Sequence, residues 1–556
     1  MTMNNDNYTK VFASRIIGAL ALLTLSSQLS AATITVTGTG DTIAVDGFIT
    51  LREAITAANT DAISGDAPAG SGADTIDFNI AGAPGTVHTI QPASALPTIT
   101  GVLTINGYSQ PGTSPNSLAS GNNAFLAIEL DGTNAGASPG LNITAGGSLV
   151  RGLVINRFAN EGIVISTLGN NVISGNYLGT DQTGQLDRGN GLTGVSLLSS
   201  NNLVGGTLAA DRNLVSANDS HGILVSGAIT GNRILNNYIG STDAGNVALG
   251  NSAAGVSIVG ATNTSIGGIL SGTGNVIAWN SDEGVVLSSS AGAGNAILGN
   301  SIHSNGALGI DLSDDGITAN DALDVDVGPN NLQNFPVLNT ATTNELGIVV
   351  KGTLESTPST SHRLEFFGNT NADPSGSGEG ESYLGFLDVM TDALGNASFT
   401  FTSATGQAVD TEISVTATDP NNNTSEFAVD IPIVFFPTSE HDDDDDENDS
   451  VFSDDDYFPI PLGFGPPPFP PVPPAPPAPA LVPPAPISRV VGVDDPITVQ
   501  GPVTEIGQNS SSETYSDEKQ EQIGCSTFGK TSPAMVGLVS IVLAWLKFRR
   551  KRRARA

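Results

Sequence analysis

The residues whose types could carry chemistry are few. Asp219-Ser220-His221-Gly222-Ile223 sets a carboxylate two residues from an imidazole, a pairing that general acid–base catalysis uses. Glycoside hydrolysis needs two carboxyl groups flanking the scissile bond, and no second aspartate occupies a matching position before Asp219. His221 therefore reads first as a solvent-facing loop histidine and second as a catalytic group. Arg151, Arg157, Arg188, Arg212 and Arg233 offer bases for an elimination, and Asp187 and Asp211 each precede one of them. None lies beside a clear carboxylate cluster, so structural or surface pairing is the simpler reading. The densest carboxylates are Asp311, Asp314, Asp315, Asp321, Asp324 and Asp326. Such crowding suits calcium, which takes oxygen ligands, but the spacing is not that of an EF-hand, and Asp311 with Asp314-Asp315-Gly316 also reads as polar turns. No cofactor is required; calcium would stiffen the chain there. Tyr177 and Tyr238 recur before Gly179-Thr180-Asp181 and Gly240-Ser241-Thr242-Asp243, as a ligand face or a packed corner. The lone cysteine, Cys525, excludes an internal disulfide framework and a four-cysteine zinc site. No phosphate-binding loop, zinc motif or dinucleotide fingerprint is present.

These residues sit on a repeating frame. Glycine, aliphatic, any residue, aliphatic recurs as Gly140-Leu141-Asn142-Ile143, Gly162-Ile163-Val164-Ile165, Gly194-Val195-Ser196-Leu197 and Gly222-Ile223-Leu224-Val225. It returns at Gly255-Val256-Ser257-Ile258, Gly284-Val285-Val286-Leu287 and Gly309-Ile310-Asp311-Leu312. A second element lies between copies, as in Asn171-Val172-Ile173-Ser174-Gly175-Asn176-Tyr177-Leu178. A strand alternates its side chains between faces, so each copy points one aliphatic set inward. A period of this length fits one coil of a solenoid, whose coils stack and share a continuous interior. Glycine and asparagine at the corners suit the positive φ of tight bends. The expectation is an all-β chain: a right-handed parallel β-helix over 85–340, preceded by an N-terminal cap over 33–84. From 341 to 436 the pattern changes to alternation, as in Arg363-Leu364-Glu365-Phe366-Phe367 and Ile413-Ser414-Val415-Thr416-Ala417, which predicts a small antiparallel sandwich of immunoglobulin-like class.

Both ends read as targeting segments. Residues 1–32 combine Lys10 and Arg15, an apolar run from Ile16 to Leu25 and Ser30-Ala31-Ala32, the layout of a signal peptide cut by signal peptidase. Residues 437–531 hold the run Asp442 to Asp446 and a proline-rich stretch from Pro459 to Pro486, a disordered acidic stalk. Residues 532–556 form an apolar helix followed by Lys547, Arg549, Arg550, Lys551, Arg552, Arg553 and Arg555. The positive-inside rule puts that basic end in the cytoplasm and the body outside. The chain carries a net charge of −35, which disfavours nucleic acid and argues against a polyanionic substrate unless calcium bridges the two.

Four stretches resemble known bacterial families. Gly524-Cys525, the apolar run and the basic end resemble C-terminal sorting signals of the "-CTERM" type, and the resemblance implies processing by a sorting protease near Cys525. Ile49-Thr50-Leu51-Arg52-Glu53-Ala54-Ile55-Thr56-Ala57-Ala58-Asn59 resembles the CSLREA domain of exported β-helix proteins, with Ile49-Thr50 in place of the usual Cys-Ser. Leu51, Ile55 and Ala58 share one helical face there, which fits a cap over the first coil. Glu379-Gly380-Glu381-Ser382-Tyr383-Leu384-Gly385 and Asn423-Thr424-Ser425-Glu426-Phe427 are similar to that group's C-terminal module.

Parallel β-helices host pectate lyases and polygalacturonases as well as adhesins, so fold does not decide function. The Gly-His-Gly, paired aspartates and Arg-Ile-Lys of polygalacturonases are missing around His221. The sequence thus predicts an exported surface protein, non-enzymatic, acting in adhesion, matrix formation or glycan contact, with glycans or other surface proteins as partners. The rival is a carbohydrate-active enzyme, a polysaccharide lyase or glycoside hydrolase, working on extracellular polysaccharide.

Overall fold

The computed structural model describes residues 31–435 apart from 84, 345–346 and 405–410. The signal peptide (but for its last two residues), the linker and the tail with Gly524 and Cys525 lie outside the described residues. Among the described residues no helix is long and apolar enough to cross a membrane.

Three parallel sheets of nine, eight and seven strands wind around one core as a right-handed β-helix. Each glycine copy opens a strand of the third sheet, and the residue after it faces inward in strict register: Ile163, Val195, Ile223, Val256, Val285 and Ile310 lie on successive coils. All six are buried. The second element supplies the other two sheets, with Asn176 at the corner between Val172–Ser174 and Tyr177–Leu178.

The repeat glycines are needed for space, not for φ. None of the seven has a positive φ, unlike corner glycines such as Gly175 and Gly205. A Cβ on Gly222 would lie 2.6 Å from Ile239 Cγ2 and 2.7 Å from the Gly255 carbonyl oxygen. Gly222→Ala is expected to destabilise the chain by about 2 kcal/mol through overpacking, read as a drop in urea midpoint; an unchanged midpoint would show that the coil can shift.

Buried asparagines stitch the corners. Asn176, Asn213, Asn237, Asn275 and Asn300 stack one per coil, each carboxamide NH2 donating to the next carboxamide oxygen at 3.2, 2.9, 3.0 and 2.9 Å. Asn190, Asn218, Asn251, Asn280 and Asn305 form a second stack at 2.8 to 3.0 Å.

The first coil begins earlier than the repeat predicts. Thr33–Val36 pairs in parallel with Asp74–Phe78, which pairs with Leu103–Asn106. The segment 33–84 is therefore winding as well as cap, since Ile34, Val36, Ile76 and Phe78 alternate inward without any glycine copy. Helix α1, Leu51–Thr60, covers this end. Leu51, Ile55 and Ala58 are buried as their spacing requires. Thr50 and Glu53 form a reciprocal capping box, and Glu53 also accepts the Ala44 N–H at 2.8 Å.

The helix also ends earlier than 340, at Ile310–Ser313. Seven strands from Val337–Asn344 to Ile431–Phe435 then form a sandwich around Phe366, Phe401, Leu364 and Val415. It is not wholly antiparallel. Its last strand pairs antiparallel with Glu412–Thr418 and parallel with Val337–Asn344, and so joins the two halves.

The sandwich plugs the open end of the solenoid. Coil N–H groups point some to the preceding coil and some to the following one, and those of the final coil that point outward have no following coil to meet. Glu365 accepts the Gly299 N–H at 2.8 Å, and Glu379 accepts those of Ser304 and Asn305 at 2.6 and 3.1 Å. Glu426 accepts Leu312 and Thr318 at 2.9 and 2.8 Å. Thr424 and Asn423 take Ile297 and Gly294, while Phe367 and Phe427 complete the solenoid core. Exposed strand edges would otherwise invite end-to-end pairing.

Candidate functional site

A cleft of about 280 Å³ opens beside this plug. His303, Ser304 and Asn305 of the last coil form one wall, and Asn369, Asn371, Asp373, Glu379 and Glu381 of the sandwich form the other. His303 ends the strand Ser301–His303. Trp279, one coil earlier, meets its ring edge-on at 5.1 Å, which fixes the imidazole plane.

The two glutamates are held in contrasting environments. Burial pushes the Glu379 carboxyl up to about 7; the N–H groups of Ser304 and Asn305 oppose this and Asp373 adds to it. Burial also acts against the charged form of Glu381, but the Thr370 hydrogen bonds, helped by His303, outweigh it and hold that carboxyl below the ordinary Glu range. Burial lowers the His303 pKa, with Glu381 pulling the other way. Asn369 accepts the Glu381 N–H at 2.9 Å and donates to the Glu379 carbonyl at 2.8 Å, so the sandwich wall is braced.

The residues singled out by sequence fall elsewhere. His221 is half-buried rather than solvent-facing, and its Nδ1 is buried without a partner. Burial lowers its pKa, and the carboxylates acting on it are Asp282 and Asp314 from later coils. Asp219 is exposed, and its N–H donates to the Asn190 carbonyl. The two do not form a catalytic pair.

The six aspartates split. Asp311 is buried and accepts the N–H groups of Asp314, Asp315 and Gly316, the polar turn. Asp321, Asp324 and Asp326 do converge, with one oxygen each within 4.8 Å of the others. Asp324 already accepts Asn334 N–H and Ser356 hydroxyl bonds at 2.9 and 2.6 Å. Three carboxylates leave calcium short of its usual six to eight or so oxygens, so carbonyls and water would have to supply the rest.

Tyr177 and Tyr238 are buried in a satellite cluster with Leu126, Val154 and Leu214 on the outer face of the second sheet. They are a packed corner. Arg212 lies 4.5 Å over the Tyr238 ring and donates to the carbonyls of Leu118, Ala119 and Gly121, tying a loop over that corner. Arg157 pairs with Asp131 at 2.7 Å. Arg157 and Arg212 thus serve structure.

No family model matches the chain, and no curated protein matches it. Among solved structures, the A-module of a mannuronan C-5 epimerase from Azotobacter vinelandii is 18% identical, with a TM-score of 0.25, over 43% of this chain and 64% of that one. Tailspike protein 2 of an Escherichia coli O157:H7 bacteriophage is 12% identical, TM-score 0.17, over 65% and 58%. A tailspike of Acinetobacter baumannii bacteriophage Fri1, described as a capsular polysaccharide depolymerase, is 9% identical, TM-score 0.15, over 66% and 70%. The chain thus spans under two thirds of the first two.

Sequence reasoning missed the cleft itself. Glu379 and Glu381 of its acidic wall lie inside the phrase from Glu379 to Gly385, but His303 carries no local mark. It becomes a wall only because the sandwich returns to the last coil.

Proposed function

We propose that this chain is an exported, cell-surface β-helix protein that contacts glycan at the junction cleft, in adhesion or matrix formation, without turning its ligand over. The observation that carries this reading is the cleft's make-up: carboxamides, carboxylates and an imidazole on a braced frame, suited to sugar hydroxyls. Both Glu379 oxygens already accept main-chain N–H groups, as a capping carboxylate does. The test is to mix the purified chain with neutral and acidic oligosaccharides and to follow binding and product together. Binding that falls about tenfold in His303→Ala/Asn371→Ala, with the sugar recovered intact, is expected. Absence of binding across the panel would overturn the reading.

One observation favours the enzymatic alternative. Glu379 and Glu381 line one cleft with pKa values driven apart, the pattern of an acid and its ionised partner in glycoside hydrolases. Product release abolished by Glu379→Gln would establish it.

A further inference from the structure

We infer that the junction cleft selects sugars bearing a free amino group, that is, cationic 2-amino sugars, over neutral and uronate residues. This rests on the reading of the cleft as a glycan site. No lysine or arginine lines the cleft, whereas Asp373, Glu379 and Glu381 do. A uronate would meet carboxylates with no cation to offset them, and an unpaired charge in a half-enclosed site is costly. A neutral sugar would bond to the carboxylates but gain no charge pairing. An ammonium brings one positive charge and three donors, and its bonds to carboxylate are the charge-assisted kind.

The acceptors are held in place before any ligand arrives. Glu381 is fixed by the Thr370 N–H at 2.9 Å, and Asp373 is tethered through its own N–H to Asp430 at 3.2 Å. Asn369, fully engaged with Glu379, Ser414 and Glu381, forms the floor between them. Fixed acceptors spare the ligand the cost of ordering them. The volume, about 280 Å³, is at the small end for ligand sites and suits a single ring of a polymer rather than a long oligomer. The chain's charge of −35 draws cations toward the surface as a whole, so the cleft must be told apart from that background.

The full chain is titrated calorimetrically near neutral pH with glucosamine, N-acetylglucosamine and galacturonate tetramers. The glucosamine tetramer is expected to bind at least about tenfold tighter than its acetylated counterpart, with weakening at about 0.5 M salt. Asp373→Asn/Glu381→Gln should remove that preference, while Asp61→Asn, exposed at the opposite end of the solenoid, should leave it intact. Equal binding of the two tetramers, or an equal loss in Asp61→Asn, overturns the amino-sugar inference and leaves the glycan site standing. Failure of every tetramer to bind removes both. Should the double variant prove unfolded, Asn371→Arg on the exposed rim replaces it: retained amino-sugar preference there also overturns the inference.

Discussion

The melting temperature of the purified chain will fall as pH rises from about 6.5 to 8.5, and Glu379→Gln/Glu426→Gln will flatten that fall. Glu379 and Glu426 close the last coil with two main-chain N–H bonds each. Burial pushes both carboxyls up to about 7. The N–H groups they accept oppose the shift, and Asp373 and Asp311 respectively reinforce it. A carboxyl whose pKa is raised by folding binds more protons in the folded chain. Its contribution is therefore complete below the unfolded value and lost as pH climbs through about 7. At about 1.36 kcal/mol per unit, each group contributes about 3 kcal/mol below its unfolded pKa, of which about 1 kcal/mol is left to lose between about pH 6.5 and 8.5. Asp430, pushed up to about 6 by burial, acts in the same direction at slightly lower pH. Burial lowers the pKa values of His88, His221, His303 and His362, and these groups act oppositely. Their charging destabilises the fold as pH drops below about 7, so most of that effect lies beneath the window chosen and the remainder is common to both proteins. Self-repulsion at high pH is common to both proteins, so the difference between their curves isolates the two glutamates. Parallel curves would mean that neither carboxyl holds a proton in the plug.

The same plug shows what the sequence could reveal and what it could not. The coils were legible because each must bury an aliphatic at the same place. Gly162-Ile163-Val164-Ile165 and Gly222-Ile223-Leu224-Val225 therefore look alike even when 60 residues apart. Helix α1 was legible because Thr50 and Glu53 are neighbours in sequence as well as in space. Thr33–Val36 was missed because α1 and its loops separate it from Asp74–Phe78, and because neither strand needs a glycine. The sandwich was visible as alternation, but its task was not. Glu365, Glu379 and Glu426 are single acidic residues, and their partners lie 66, 75 and 114 positions away. Asp219 and His221 were paired on spacing alone. Around a coil, two residues in sequence are less often neighbours in space than two residues one coil apart, and it was Asp282 and Asp314 that reached the imidazole.

Asn237→Ala will be among the most damaging single changes on the solenoid, costing about 3 to 5 kcal/mol in urea unfolding. Asn237 is fully buried. Its oxygen accepts the Asn213 side chain at 2.9 Å, and its NH2 donates to the Val204 and Leu235 carbonyls and to Asn275, each at 3.0 Å. Alanine removes these bonds, together with the longer one from the Asn213 N–H at 3.4 Å, and leaves donors and acceptors on three coils without water, each a penalty of about 1 to 3 kcal/mol. Asn237→Asp separates geometry from bonding. It keeps the shape and the acceptor, but loses the NH2 and buries a charge beside two carbonyls. It should be as harmful as alanine at neutral pH and recover in part below about pH 5, where the carboxyl is protonated and can donate one bond. Exposed Asn371 supplies the control, since Asn371→Ala should stay within about 0.5 kcal/mol of the parent. A loss at Asn237 no greater than that would mean that the stacked aliphatics alone hold register. The asparagine columns would then be a consequence of the winding rather than one of its causes, because a column that fixed the spacing between coils could not be interrupted so cheaply at its middle rung.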